Sequence, residues 1–201
     1  MTECILLSVK IETGFRVSLP VREAWPLLTD LERVAPSMPG VVIDSVDDDG
    51  LWATMRVKVG PVHAAYRMRV RLDSLDSTTH TAVLKASGRE TQGPGTVEAT
   101  VVAALTGENG ATAVALFTDL TVTGRVAQFG GGVMTEVADR LLVQFTERLE
   151  ADLGAAEAQS AAPPVLDLGP TARRLLFRGA GRLALVAGPL LLVALRLRRR
   201  R

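Results

Sequence analysis

The residues of this chain whose types suggest chemistry are two histidines, one cysteine, a run of aspartates and a run of glycines. Their spacing argues against each reaction in turn. A zinc or copper site needs three or four convergent ligands. His63 and His80 fall at expected strand positions about one hairpin apart, and the chain has no third histidine and no second cysteine to join Cys4. Cys4 paired with either histidine as a nucleophile has no third group to orient the base. Gly130-Gly131-Gly132 lacks the Gly-Lys-Ser/Thr of a phosphate loop and reads as a hinge before a helix. Asp47-Asp48-Asp49-Gly50 lacks the spaced ligands and closing glutamate of a calcium loop and reads as a solvated hairpin turn. No catalytic residue and no metal ligand is assigned.

The remaining chemical signal is arginine. Thr171 to Arg201 holds nine arginines and no acid, whereas residues 1–170 hold 14 Lys/Arg against 22 Asp/Glu, a net of −8. The formal +1 of the whole therefore hides an acidic body and a basic, apolar tail suited to an anionic lipid surface. Leu183 to Leu195 is uncharged, but its thirteen residues span roughly 20 Å as helix, short of a bilayer core, and Gly188-Pro189 interrupts them. The expected mode is a segment lying in the interface. Arg173, Arg174, Arg178, Arg182, Arg196 and Arg198 sit near headgroups, while Leu175, Leu176, Phe177, Leu190, Leu191 and Leu192 enter the acyl boundary. A tilted span with Arg182 snorkelling is the second mode, and a tail that docks on a protein or stays disordered is the third. Nucleic acid is not expected as a partner, because only Phe177 interleaves the arginines with an aromatic ring.

Three segments follow: a globular domain over 1–153, an Ala/Gly/Pro-rich linker over 154–170, and the membrane-seeking tail over 171–201. The first twelve residues show no basic start and no apolar core of useful length. The domain is therefore expected at the cytoplasmic face of the cell membrane, and the arginine-rich tail carries the same expectation.

The domain must position any site with strands followed by one long helix. Val9, Ile11, Phe15, Val17 and Leu19 alternate with polar residues, and Pro20 ends that strand. Val21 to Met38 reads as two helical pieces, with Asp30 capping the second. Val41 to Val46 is a strand. Leu51 to Val59 and Val62 to Leu72 alternate most clearly around the Gly60-Pro61 turn. Strands follow over Thr79–Gly88, Thr96–Leu105 and Thr112–Thr123. Arg125 to Leu153 then switches to a 3.6-residue period along Val126, Phe129, Val133, Val137, Leu141, Leu142, Phe145 and Leu149. The expected fold is α+β: about seven antiparallel strands gripping a long C-terminal helix. A twisted sheet of that size curls, and one helix of about 10 Å diameter cannot fill its concave side. The inward residues are small, with adaptable methionines, so an apolar cavity is expected.

These residues resemble a known family. Phe15-x-Val-x-x-Pro20, Ala24-Trp25-x-Leu-Leu-x-Asp30 and Val34-Ala35-x-x-Met38-Pro39-Gly40 are similar to the opening of the CoxG family of carbon monoxide dehydrogenase subunits. Met55-Arg-Val57-Lys-Val59-Gly60-Pro61-Val62 resembles its most characteristic strand and turn, and Gly124-Arg-Val-Ala127-Gln128-Phe129-Gly130 the start of its long helix. The resemblance spans roughly residues 8–153. It implies the helix-grip fold shared with Bet v 1 and START-type lipid carriers. It also implies association with a molybdenum-containing carbon monoxide dehydrogenase, similarity to membrane-recruitment factors, and a respiratory quinone as cargo, menaquinone in actinobacteria. No covalently bound cofactor is expected.

A quinone needs an apolar wall for its chain and one or two polar contacts for its ring. The expected wall is Phe15, Met38, Met55, Val57, Met68, Phe117, Phe129, Met134, Val137, Ala138, Leu141 and Phe145. Tyr66 lines the wall too, and its hydroxyl or the Gln128 amide is the expected donor to a quinone carbonyl. Three functions remain open on the residues: a membrane-tethered carrier of a small lipophilic ligand, a recruiter joining dehydrogenase to membrane lipids without cargo, and an enzyme, a cyclase or hydrolase, on the same fold.

Overall fold

The computed structural model describes residues 5–160, with side chains described through residue 155. The tail and its expected lipid contacts, most of the expected linker, and Cys4 lie outside the described residues. The first strand, β1 (Leu6–Val17), leads into α1 (Val21–Leu28), α2 (Leu31–Val34) and a 3-10 turn over Ala35–Ser37. Six strands follow: β2 (Val41–Asp47), β3 (Gly50–Val59), β4 (Val62–Asp76), β5 (Thr81–Glu90), β6 (Thr96–Glu108) and β7 (Ala111–Thr123). A second 3-10 turn over Arg125–Phe129 leads into α3 (Gly130–Ser160).

The strands form one seven-stranded sheet in the order β1-β7-β6-β5-β4-β3-β2, antiparallel at every step. This is the helix-grip arrangement. Hairpins join β2 through β7 in sequence, whereas β1 crosses to pair with β7, so the first and last strands close the far edge. The period-2 pattern explains the two faces. Along β3, Leu51, Ala53 and Val59 are buried while Arg56 and Lys58 are exposed, and β4 repeats this with Ala64, Tyr66 and Met68 against Arg67 and Arg71.

Local chemistry sets the breaks. Asp30 caps α2 by accepting from the Arg33 amide at 3.1 Å, worth about 1 kcal/mol. In the β2–β3 hairpin Asp47 accepts from the Asp49 amide and from the Trp52 indole, each at 3.0 Å, so this carboxylate serves the turn. The expected helix start at Arg125 is replaced by the 3-10 turn, because Gly124 (φ 85) and Gly130 (φ 74) take positive φ and interrupt the helix on either side. At its other end α3 runs to Ser160, into the segment read as linker. Ala155, Ala156, Glu157, Ala158 and Gln159 favour helix, and the first prolines come only at Pro163-Pro164. His80 sits in the β4–β5 turn at φ 50 rather than in a strand, packed edge-on to Trp25 at 5.5 Å.

The core is split in two. One cluster holds Ile11, Val59, Ala64, Tyr66, Met68, Val122, Val126 and Met134. The other holds Val17, Ala24, Leu27, Ala103, Leu105, Val114, Phe145 and Leu149. Phe145 and Leu149 are the deep anchors of α3, at roughly 2 kcal/mol each. Polar ties hold its C-terminal half: Glu150 accepts from the Ser18 amide at 2.7 Å, and Ser37 donates to Asp152 at 3.0 Å.

Candidate functional site

The two clusters are separated along the concave floor. Cross-strand register sets two inward rows there: Leu51, Val70, Ala86, Ala99 and Leu120, then Leu72, Leu84, Val101 and Thr118. Val70, Leu72, Leu84, Ala99 and Val101 belong to neither cluster and remain half-buried. α3 runs closest to β1, and the side chains it sends over the sheet pack into the two end clusters, leaving these five residues out of both. An apolar floor is thus left between two packed ends. On the β1 side, a groove of about 830 Å³ opens between α3 and β1/β7, lined by Phe15, Val114, Leu142, Val143 and Thr146, with Arg16, Asp139 and Glu147 at its rim. That volume falls in the range of small-molecule sites.

The structure distributes the expected wall unevenly. Met55, Val57, Tyr66, Met68, Phe129, Met134, Val137 and Ala138 gather in or against the first cluster. Phe15, Met38 and Phe145 gather at the second, where Phe15 and Phe145 stack edge-on at 5.6 Å. Leu141 is half-buried and belongs to neither. Two expectations are corrected. Phe117 is 49 % exposed on the outer face, because the inward residues of β7 are the even-numbered ones, Val114, Leu116 and Leu120. Gln128 is exposed on the 3-10 turn, whose interruption of the helix directs Val126 and Ala127 inward instead.

Tyr66 is where the floor becomes polar. Its side chain is 4 % exposed and its hydroxyl has no hydrogen-bond partner, an uncompensated group that costs about 1–3 kcal/mol in such a setting. Burial pushes its pKa up from the usual 10.0. Nearby Glu90 pushes the same way, and Arg125 opposes them.

Glu90 and Arg125 are residues the sequence reading passed over. Glu90 stands directly across from Tyr66 on β5, and its carboxylate accepts from the Arg125 guanidinium at 2.6 Å. A side chain at Gly93 or Gly95 would come within 2.5 or 2.7 Å of the Glu90 carboxylate, so the Gly93-Pro94-Gly95 turn forms a cradle around it. The signal was present: Ala82, Leu84, Ala86 and Gly88 carry the inward parity of β5 straight to Glu90.

Among the described residues no helix is long and apolar enough to cross a membrane, and no group of three His, Cys, Asp or Glu side chains converges as metal ligands.

A family model for CoxG, a subunit of carbon monoxide dehydrogenase, matches residues 14–154. No match was found among curated proteins. A conserved protein from Geobacillus kaustophilus is 20 % identical over 74 % of this chain and 97 % of its own, with a TM-score of 0.64. An uncharacterized protein from Rhizobium leguminosarum is 11 % identical over 75 % of this chain and 99 % of its own, with a TM-score of 0.53. A START superfamily protein from Mycobacterium smegmatis is 14 % identical over 73 % of this chain and 98 % of its own, with a TM-score of 0.46. The first two likenesses show a shared fold.

Proposed function

The chain belongs to the CoxG family of carbon monoxide dehydrogenase subunits, and from that membership we propose that it is a membrane-tethered carrier of a lipophilic ligand. The cargo is a respiratory quinone, menaquinone where that is the quinone of the membrane. The carrier takes it from the lipid and presents it to a molybdenum-containing carbon monoxide dehydrogenase at the cytoplasmic face. The observation that carries this reading is the apolar groove of about 830 Å³ beside α3, continuous in chemistry with the half-covered floor of the sheet. The groove takes the isoprenoid chain. The Tyr66 hydroxyl, lacking a partner in the structure, donates to a ring carbonyl once the first cluster opens. The chain works as a binder and not as a catalyst, with the tail holding the domain near its lipid source at high local concentration.

Native mass spectrometry of the gently extracted full chain tests this, with a co-purifying quinone mass expected. Removal of residues 171–201 is expected to move the protein from the membrane to the soluble fraction. A truncated chain that still sediments with membranes would remove the tail from the account. A second reading, a recruiter of the dehydrogenase without cargo, is favoured by one observation. Tyr66 is enclosed among Met68, Val126 and Met134, so a ring reaches it only after those side chains part. A full chain that co-purifies with no lipophilic mass, yet sediments with membranes, supports that second reading.

A further inference from the structure

The outer face of β3, β4 and β5 carries a charge that the domain as a whole does not. Residues 1–170 sum to −8, yet the outward positions of β3, β4 and β5 present Arg56, Lys58, Arg67 and Arg89, all exposed. Elsewhere on this face arginine and lysine meet carboxylates: Arg69 meets Asp49 at 2.8 Å and Lys85 meets Asp73 at 2.9 Å. None of those four has an acidic partner among the described residues, and Asp44, on the neighbouring strand, bonds Thr54. Arg67 stands directly opposite Arg89 in the ladder. Like charges directly opposed across strands destabilise a sheet unless something neutralises them.

The same face holds apolar groups suited to an interface. Val42, 52 % exposed, pairs with Thr54 beside Arg67. Trp52 lies half-buried with its indole N–H bonded to Asp47, and the Arg67 and Arg69 guanidinium groups stand 6.0 and 5.5 Å from its ring centre. We propose that this outer face of β3, β4 and β5 docks on an anionic phospholipid bilayer. The cations are spread over three strands of an exposed face, which fits an extended polyanionic plane better than a single bound phosphate. Their interleaving with tryptophan and valine fits the headgroup level of a membrane. The nine arginines of residues 171–201 carry the same preference, so the domain would lie flat on the surface that the tail seeks. The concave floor then faces away from the lipid plane, with the α3 groove at the domain's side.

Trp52 is its own reporter, since the chain has only one other tryptophan, Trp25. In full-length protein carrying Trp25→Phe, Trp52 emission is followed on vesicles of phosphatidylcholine and phosphatidylglycerol containing a headgroup spin label. At least a twofold dimming is expected, reversed by high salt. The combined Arg56→Gln, Arg67→Gln and Arg89→Gln variant is expected to lose the dimming while its sedimented fraction stays the same, and the matching Arg→Lys variant is expected to keep it. Dimming that survives the Gln variant, or no dimming of Trp52 whether or not the chain sediments, overturns the proposal. So does a variant-sensitive association with heparin or with an acidic protein when vesicles give no dimming, since the surface then serves another polyanion.

Discussion

Glu90 and Arg125 meet at 2.6 Å with unequal burial: the Glu90 side chain is 2 % exposed and the Arg125 side chain 54 %. The carboxylate is committed to the interior and the guanidinium is not. This lopsided pair pins the 3-10 turn before α3 to the floor of the sheet, directly across from Tyr66.

The two partners are therefore not equivalent on removal. Arg125→Ala leaves a carboxylate that water reaches poorly, and a loss of about 3 kcal/mol is expected. Glu90→Gln leaves a guanidinium that turns to solvent, and the expected loss is about 1 kcal/mol. Urea unfolding of both variants checks the asymmetry. Equal losses would mean that the carboxylate is hydrated in spite of its position.

Tyr66 gives a pH-dependent signature. Its folded pKa is raised above the usual 10.0 by burial, with Glu90 adding to the shift, so the folded state holds the phenol proton longer than the unfolded chain does. Below the unfolded pKa both states are neutral and nothing is lost. As pH rises past it, the unfolded chain ionises first, and the stability contribution falls until the folded phenol also titrates. Tyr66 is the only tyrosine, so phenolate absorbance reads it directly. The native midpoint is expected above that of the urea-unfolded chain, and Tyr66→Phe is expected to remove the corresponding alkaline loss of stability.

Most of the frame was readable from period alone. Leu51 to Val59 and Val62 to Leu72 alternate without a break, and the structure follows them residue for residue. The split core was not readable, because it depends on where α3 crosses the sheet, and periodicity fixes a helix's apolar face but not its placement. Phe117 failed on parity: its size suggested the interior, but Val114, Leu116 and Leu120 already claim the inward side of β7. Gln128 failed on backbone, since the pattern of Val126 and Phe129 looked helical and the positive φ of Gly124 and Gly130 was invisible in it. Glu90 failed for a different reason, as a lone glutamate at a strand end reads as surface until its arginine is seen.

Gly124 is expected to resist substitution more than its loop setting suggests. At φ 85 and ψ −153 it occupies a region essentially reserved for glycine, and an added Cβ would lie 2.9 Å from the Gly95 Cα. Gly110 also has positive φ, at 88, but nothing lies within 4 Å of an added Cβ there. Gly124→Ala should therefore cost about 2 kcal/mol or more, because it strains the backbone and pushes on the cradle of Glu90, whereas Gly110→Ala bears backbone strain alone. Thermal unfolding of the two variants, side by side, separates the terms.

The floor itself is best tested at Ala99. It lies on the inward row between Ala86 and Leu120, half-buried and outside both core clusters. A phenylalanine there asks whether the space above the middle strands is open. If α3 and its neighbours filled that space, Ala99→Phe would overpack the core and cost about 1–3 kcal/mol. With the floor half-uncovered, the ring instead covers Leu84 and Val101, and stability is expected to change by less than about 0.5 kcal/mol. The same ring occupies part of the volume a cargo would need, so the co-purifying lipophilic mass is expected to disappear. The two measurements are independent, and their joint outcome is the informative one. Unchanged stability with the mass retained would place the cargo wholly in the groove between α3 and β1, with no part of it over the floor. Lost stability with the mass also lost would say nothing about where the ligand sits, and Phe15→Trp, on the groove side, would then decide between the two positions.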